Sequence, residues 1–307
     1  MDNEGSALAA SRPDLEQPVD CQARPFCRSA PRVAGVAAGL SYLLPSSERP
    51  FQYMYQSPPG VSWQNSRYQV ELAEILDART TPAAASIDGE GFELWDAPTS
   101  VSDFQDVGAI QTRYYREAEE LAKHVTGAMR AVVFDHAVRQ REPGRPGLNF
   151  GRNGESSALG AVGRVHIDYT EASGPRRLTA LLTDNRIAPV HRRFAIVNIW
   201  RSIGGKIVDT PLALCSARTV SVTDLAATDL RYNGRTGEMY LVHHSREHRW
   251  MYFSEMDRHE ALVFKQYDSR VSGVARFTPH SAFDLPCIPA NAPLRRSIEI
   301  RCLVAYD

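Results

Sequence analysis

The sequence predicts a mainly β protein, a double-stranded β-helix (jelly-roll/cupin-like) core with flanking α-helices. Beyond residue 160 the chain is a succession of short apolar runs at irregular spacing, separated by turn-forming residues. Before residue 160 one segment has clear helical periodicity. No internal repeat appears, which argues against a solenoid or propeller.

Taken in order, residues 1–32 are rich in Ala, Pro, Arg and acidic residues without apolar periodicity and read as a flexible N-terminal arm. Residues 33–307 read as a single domain, opening on a core strand at Val33–Leu44. That stretch is apolar, but it starts too far from the N-terminus for a signal peptide and is too short to span a bilayer. Short runs follow at Tyr68–Ile75 and Phe92–Trp95, punctuated by Pro58-Pro59-Gly60 and Pro82. Ile110, Tyr114, Ala118 and Leu121 recur at three- and four-residue steps, so a helix is expected over about 110–125, with Glu117, Glu119 and Glu120 between them. Ala131–Val138 reads as a buried strand. Pro143–Gly154 is a long Gly/Pro segment of the kind that forms functional lids. Strands are then expected at Arg164–Tyr169, Phe194–Trp200, Leu212–Val222, Glu238–His244, Trp250–Phe253, Ala261–Gln266 and Ser297–Ala305.

With 307 residues, 43% hydrophobic and 23% charged, the chain can bury a large core without disulfides. The net charge is −1 and Lys and Arg are scattered, which argues against nucleic acid or an anionic membrane as partner. The five cysteines, Cys21, Cys27, Cys215, Cys287 and Cys302, are irregularly spaced and contain no CxxC pair. Reduced thiols and a cytoplasmic location are the expectation. A homodimer is left open.

Chemistry concentrates at His166-Ile167-Asp168. Side chains at i and i+2 of a strand share a face, so one imidazole and one carboxylate can meet a single ion. A second His would complete a 2-His-1-carboxylate triad, which suits non-haem Fe(II) by leaving positions open. Downstream candidates are His191, His243, His244, His248, His259 and His280, of which His280 is preferred on context. It is followed by a Pro-rich loop and then Arg295-Arg-Ser297. In Fe(II)/2-oxoglutarate oxygenases an Arg on the strand after the distal His forks onto the far carboxylate of the co-substrate, and a Ser two positions on adds a donor. Arg295 and Ser297 fit that order. By alternation Arg295, Ser297, Glu299 and Arg301 point one way and Ile298, Ile300 and Cys302 the other, making Arg301 the fallback anchor.

The rival cluster is His243-His244-Ser-Arg-Glu-His248, in which His244 and His248 would share a helical face. Glu247 is displaced from the HExxH position, and the flanks read as strands joined by a charged turn. No G-x-S-x-G elbow, GxxxxGK[ST] loop or strand-linked GxGxxG is present.

Several strings together resemble the fungal and bacterial family of cephem 7α-methoxylation-type and gibberellin-desaturase-like oxygenases. They are Val133-Phe-Asp-His-Ala-Val-Arg139, Val165-His-Ile-Asp-Tyr-Thr170 with Ser173-Gly-Pro175, and Asn198-Ile-Trp-Arg-Ser202. Asp209–Cys215, Phe264–Ser269, His280–Phe283 and Arg295–Arg301 continue the match. The resemblance implies a mononuclear Fe(II)- and 2-oxoglutarate-dependent dioxygenase of fungal specialised metabolism, such as meroterpenoid biosynthesis, using O2. It places Fe(II) on His166, Asp168 and His280, and 2-oxoglutarate on Arg295 with Ser297. Arg296 departs from the acidic residue associated with that middle position, but faces away from the anchor.

The family's reactions include hydroxylation, desaturation and endoperoxide formation, and the implied partner is a hydrophobic small molecule. The expected substrate wall is the 143–160 loop, Tyr114-Tyr115 and Trp200-Arg201. A cupin-like metal-dependent isomerase and a non-catalytic binding protein are the alternatives of other classes.

Overall fold

The structure is a computed structural model that describes residues 35–81, 84–148 and 159–307. The expected arm at 1–32 and the middle of the expected lid, 149–158, lie outside the described residues. Fourteen strands are present among them. The first seven are β1 (Gly35–Leu43), β2 (Phe51–Tyr53), β3 (Tyr68–Asp77), β4 (Phe92–Asp96), β5 (Arg130–Gln140), β6 (His166–Ile167) and β7 (Phe194–Ser202). The others are β8 (Leu212–Cys215), β9 (Leu225–Tyr232), β10 (Arg235–Val242), β11 (Trp250–Tyr252), β12 (Glu260–Asp268), β13 (His280–Ala282) and β14 (Arg296–Ala305).

They form a nine-stranded sheet, ordered β1-β3-β11-β8-β13-β6-β10-β9-β2, and a five-stranded sheet, ordered β4-β12-β7-β14-β5. The expected double-stranded β-helix is present, with most neighbours antiparallel. The continuous apolar runs of β7 and β14 have a simple cause: both faces of the five-stranded sheet are covered. On its outer face Val197, Ile199, Ile298 and Ile300 pack against Ile110, Tyr114, Ala118 and Ala122. Full burial of each large aliphatic side chain here contributes about 1.5–3 kcal/mol. On the inner face Trp200, Leu262 and Phe264 pack with Leu214 of the larger sheet.

The expected helix is there, with a different beginning. A turn at Val107–Ala109, capped by the Asp106 carboxylate, runs through a π-helical turn at Ile110–Tyr114 into the α-helix Tyr115–Thr126. Gly127 ends it at φ 68°, the left-handed conformation that a side chain would strain. Two of the three acids between the apolar positions tie the helix down. Glu117 accepts hydrogen bonds from Thr99 and Ser100, and Glu119 accepts one from the Val133 backbone N–H.

Three expectations need correction. β5 is only partly buried, because it is the edge of its sheet. The Leu212–Val222 strand stops at Cys215, where hydroxyl-bearing side chains take over the backbone bonding: Thr219 donates to the Ser216 carbonyl, and Ser221 and Asp224 form a capping box. The ladder around His166 is only two residues long, because the Asp168 N–H donates to the Gln266 side chain. Further elements not read from the sequence are the strands β2, β9 and β13 and the helix Ser173–Thr183. Gly174 of that helix lies so close to Tyr267 that a Cβ would meet the ring at 2.7 Å.

Candidate metal and co-substrate site

Strand pairing brings the distant histidines together. His280 on β13 is in register opposite His166 on β6, and their ring centroids are 4.2 Å apart. The possible ligand atoms of His166, Asp168 and His280 all lie within 4.8 Å of one another, the one such group of three among the described residues. His166 Nδ1 is 2.7 Å from the Arg164 carbonyl and His280 Nδ1 is 3.4 Å from that of Thr278. A proton donated to each carbonyl leaves both Nε2 atoms as lone-pair donors, the usual way that backbone carbonyls orient ligating histidines. Burial, reinforced by the neighbouring His166, pushes the His280 imidazole down to about 3, so it is neutral and ready to ligate.

Asp168 is oriented by the opposite sheet. Its Oδ2 accepts from Arg301 Nε at 2.8 Å and from Asn198 Nδ2 at 2.9 Å, and its Oδ1 lies 3.5 Å from His166 Nε2. Burial alone would raise the carboxyl, but the Arg301 guanidinium and the two imidazoles outweigh it and hold it well below the ordinary carboxylate range. One oxygen is thus fixed by two donors while the other faces the imidazoles. Two imidazoles and one carboxylate, each held from behind, are a fitting donor set for Fe(II).

Arg301 was weighed from the sequence as a co-substrate anchor; its guanidinium is instead shared among Asp168, Asp135 and Glu299. Arg295 is different. It is buried, its Nη1 donates to the Thr210 carbonyl, and its Nε is buried with no hydrogen-bond partner. It lies 5.6 Å from the Trp200 ring centroid. Burial, with Arg139 adding repulsion, lowers its guanidinium to about 10, still charged at neutral pH. A buried cation with an uncommitted donor fits an anionic ligand such as the 2-oxoglutarate carboxylate. Ser297 is buried two residues on, with Ile298, Ile300 and Cys302 packed on the helix side as alternation requires.

A cavity of about 580 Å³ reaches His166, Asp168 and Arg301. Its wall differs from the one expected. Tyr114 and Arg201 face away, joined to each other in the outer core, where Arg201 also donates to the Ala97 and Arg258 carbonyls. Tyr115 reaches the wall only through a 2.7 Å contact with His136 Nδ1, and Trp200 is inner core. Leu159, at the end of the expected lid, does line the cavity.

The rival histidines are structural. His243 Nδ1 contacts the Leu43 carbonyl, and His248 bridges Tyr42 and Asp224. Asn198 and Arg301 are the site residues whose roles sequence reasoning missed. The signal for Asn198 was a lone amide inside the apolar run Phe194–Trp200, which calls for a buried partner.

Fold and site together define a mononuclear non-haem iron oxygenase on a jelly roll. The family model described as an oxidoreductase/YMDC permease-like domain matches residues 40–305. The hydroxylase/desaturase efuI of Hormonema carpetanum is 31% identical over 258 residues, covering 78% of this chain and 85% of that protein. The Fe(II)/2-oxoglutarate-dependent dioxygenase nvfI of Aspergillus novofumigatus is 28% identical over 260 residues, covering 82% and 89%. A solved structure of the iron and alpha-ketoglutarate-dependent endoperoxidase NvfI superposes with a TM-score of 0.77 at 24% identity, covering 89% of this chain and 98% of that one, and shows the shared fold. The chain belongs to this family of fungal Fe(II)/2-oxoglutarate-dependent dioxygenases, enzymes that use Fe(II), 2-oxoglutarate and O2. No helix among the described residues is long and apolar enough to cross a membrane.

Proposed function

We propose that His166, Asp168 and His280 hold Fe(II), that Arg295 with Ser297 anchors the distal carboxylate of 2-oxoglutarate, and that the enzyme oxidises a C–H bond of a hydrophobic small molecule. The convergence of three ligand atoms from β6, β13 and the residue after β6 carries this reading. Fe(II) with 2-oxoglutarate supplies the O2-dependent oxidising power. The chain's own residues supply position. Arg301 and Asn198 fix Asp168, the Arg164 and Thr278 carbonyls fix the imidazoles, and buried Arg295 orients the co-substrate. Met54, Leu159, Val162, Leu230 and Met239 offer apolar surface for the substrate body. Hydroxylation, desaturation and endoperoxide formation in fungal specialised metabolism are the outcomes this arrangement supports. Buried, unpaired Cys215 and Cys302 suit a cytoplasmic setting.

Anaerobic titration with Fe(II) and 2-oxoglutarate tests the reading. The wild type is expected to develop the Fe(II)–2-oxoglutarate charge-transfer band, and His166→Ala to lack it. A band of equal strength in His166→Ala contradicts the assignment.

A further inference from the structure

The cavity wall is unbalanced in charge. Among the described residues its carboxylates are Asp135, Asp168 and Glu238, and each already has an arginine partner. Glu238 is held by Arg49, approached by Arg176 at 3.7 Å and bonded by Thr170. Five arginines among the described residues line the same cavity, and of these only Arg301 and Arg176 are used in those pairs. Arg139, Arg177 and Arg235 have no carboxylate within ion-pair distance among the described residues.

Arg139 and Arg177 are half-buried, whereas Arg235 is exposed over the Tyr232 ring. Arg139 donates from Nη1 to the Gly160 carbonyl at 3.1 Å. It sits on β5 opposite Ser297 of β14, four residues along from Asp135, which is paired with Arg301. Arg177 lies 4.8 Å from the Phe134 ring centroid, and its Nε is buried without a hydrogen-bond partner. Arg177 also bonds to Tyr169, and Arg139 feels Glu299 and Asp168 only at a distance. Arginines withdrawn from water with unspent donors and no carboxylate at ion-pair distance are costly, and a ligand carboxylate would relieve that cost. Guanidinium groups match carboxylates in shape and charge. The remaining wall contains Met54, Leu159, Val162, Leu230 and Met239, which suit an apolar body.

We infer that the substrate is a hydrophobic acid whose carboxylate is seated by Arg139 and Arg177 beside the metal site. This rests on the oxygenase reading for the meaning of the cavity, and it narrows the substrate class to acids over esters, alcohols and hydrocarbons.

The test uses the anaerobic holoenzyme, loaded with Fe(II) and 2-oxoglutarate, and a matched fluorescent pair: pyrenebutyrate and its methyl ester. The acid is expected to bind about tenfold or more tightly than the ester, as charge-assisted hydrogen bonds imply. In the Arg139→Gln/Arg177→Gln double variant the preference is expected to fall to about twofold or less, and Arg177→Lys, which keeps the charge, to retain most of it. The charge-transfer band, read on the same samples, reports separately on the metal reading and on folding. Equal binding of acid and ester by the wild type overturns the inference, as does an undiminished preference in the double variant. Absence of the band from the wild type counts against the metal assignment instead and leaves the acid preference readable.

Discussion

Arg301 Nε donates to Asp168 Oδ2 at 2.8 Å, linking β14, where Arg301 is in register with Asn198 of β7, to the carboxylate beside His166 in the other sheet. Asn198 Nδ2 reaches the same oxygen at 2.9 Å. Removing the larger donor frees the carboxylate to rotate. Arg301→Leu is expected to weaken Fe(II) binding about 10–100-fold, the usual cost of losing a partner behind a metal ligand. Asn198→Ala is expected to act in the same direction and less strongly. Metal titration followed by the charge-transfer band measures both; unchanged affinity in both variants would mean that Asp168 needs neither donor.

Arg295 is expected to affect co-substrate binding more than chemistry. Its loss in Arg295→Gln removes a charge-assisted interaction of about 1.5–3 kcal/mol, which corresponds to a 2-oxoglutarate KM raised roughly 10–100-fold. If kcat falls by a similar factor while KM stays constant, the residue does not hold the ground-state ligand. Ser297→Ala should shift KM the same way, by less.

Gly174 sets a packing limit on the helix Ser173–Thr183. A methyl group there would press on the Tyr267 ring, so Gly174→Ala is expected to cost about 1–3 kcal/mol of stability. A denaturant midpoint equal to that of the wild type would show that the helix shifts freely. The same helix carries Arg177, so its displacement should also weaken binding of the acid probe.

His248 supplies a pH test away from the metal. Burial lowers its imidazole below the ordinary 6.5, despite the opposing pull of Asp224; His244 adds to the lowering, and Tyr42 caps the other nitrogen. The unfolded chain therefore takes up the proton more readily than the folded one. Its contribution is present above pH 6.5 and is lost as pH falls through that value toward the lower folded-state pKa. The melting temperature should drop on acidification from about pH 7.5 to about 5.5, and less steeply in His248→Asn. An identical slope in the variant contradicts this.

Much of the fold was legible because the inner strands carry unbroken apolar runs, and the helix carries a four-residue stripe. The donor set was legible because His166 and Asp168 are local, and because His280 precedes a strand that Arg295 leads into. What was not legible depended on neighbours far away in sequence. Ser173-Gly-Pro175 opens a helix with two residues that disfavour one, and Gly174 is there because it allows close approach to Tyr267. The mixed sequence of β9 acquires its strand state from pairing with β10. Tyr114 and Arg201 looked like cavity residues, but alternation along β7 puts Trp200 inside and Arg201 on the helix side. Arg301 looked like a second anchor because strand alternation gives a face and not a partner. Its partners are three carboxylates.

The central claim is the assignment of metal and co-substrate to named side chains. Anomalous diffraction from crystals grown anaerobically with Mn(II) and 2-oxoglutarate tests it most directly. The account expects one strong metal peak at coordination distance from His166 Nε2, Asp168 Oδ1 and His280 Nε2, with the distal carboxylate of 2-oxoglutarate on Arg295. A metal bound elsewhere, or a carboxylate seated on Arg301, would contradict it.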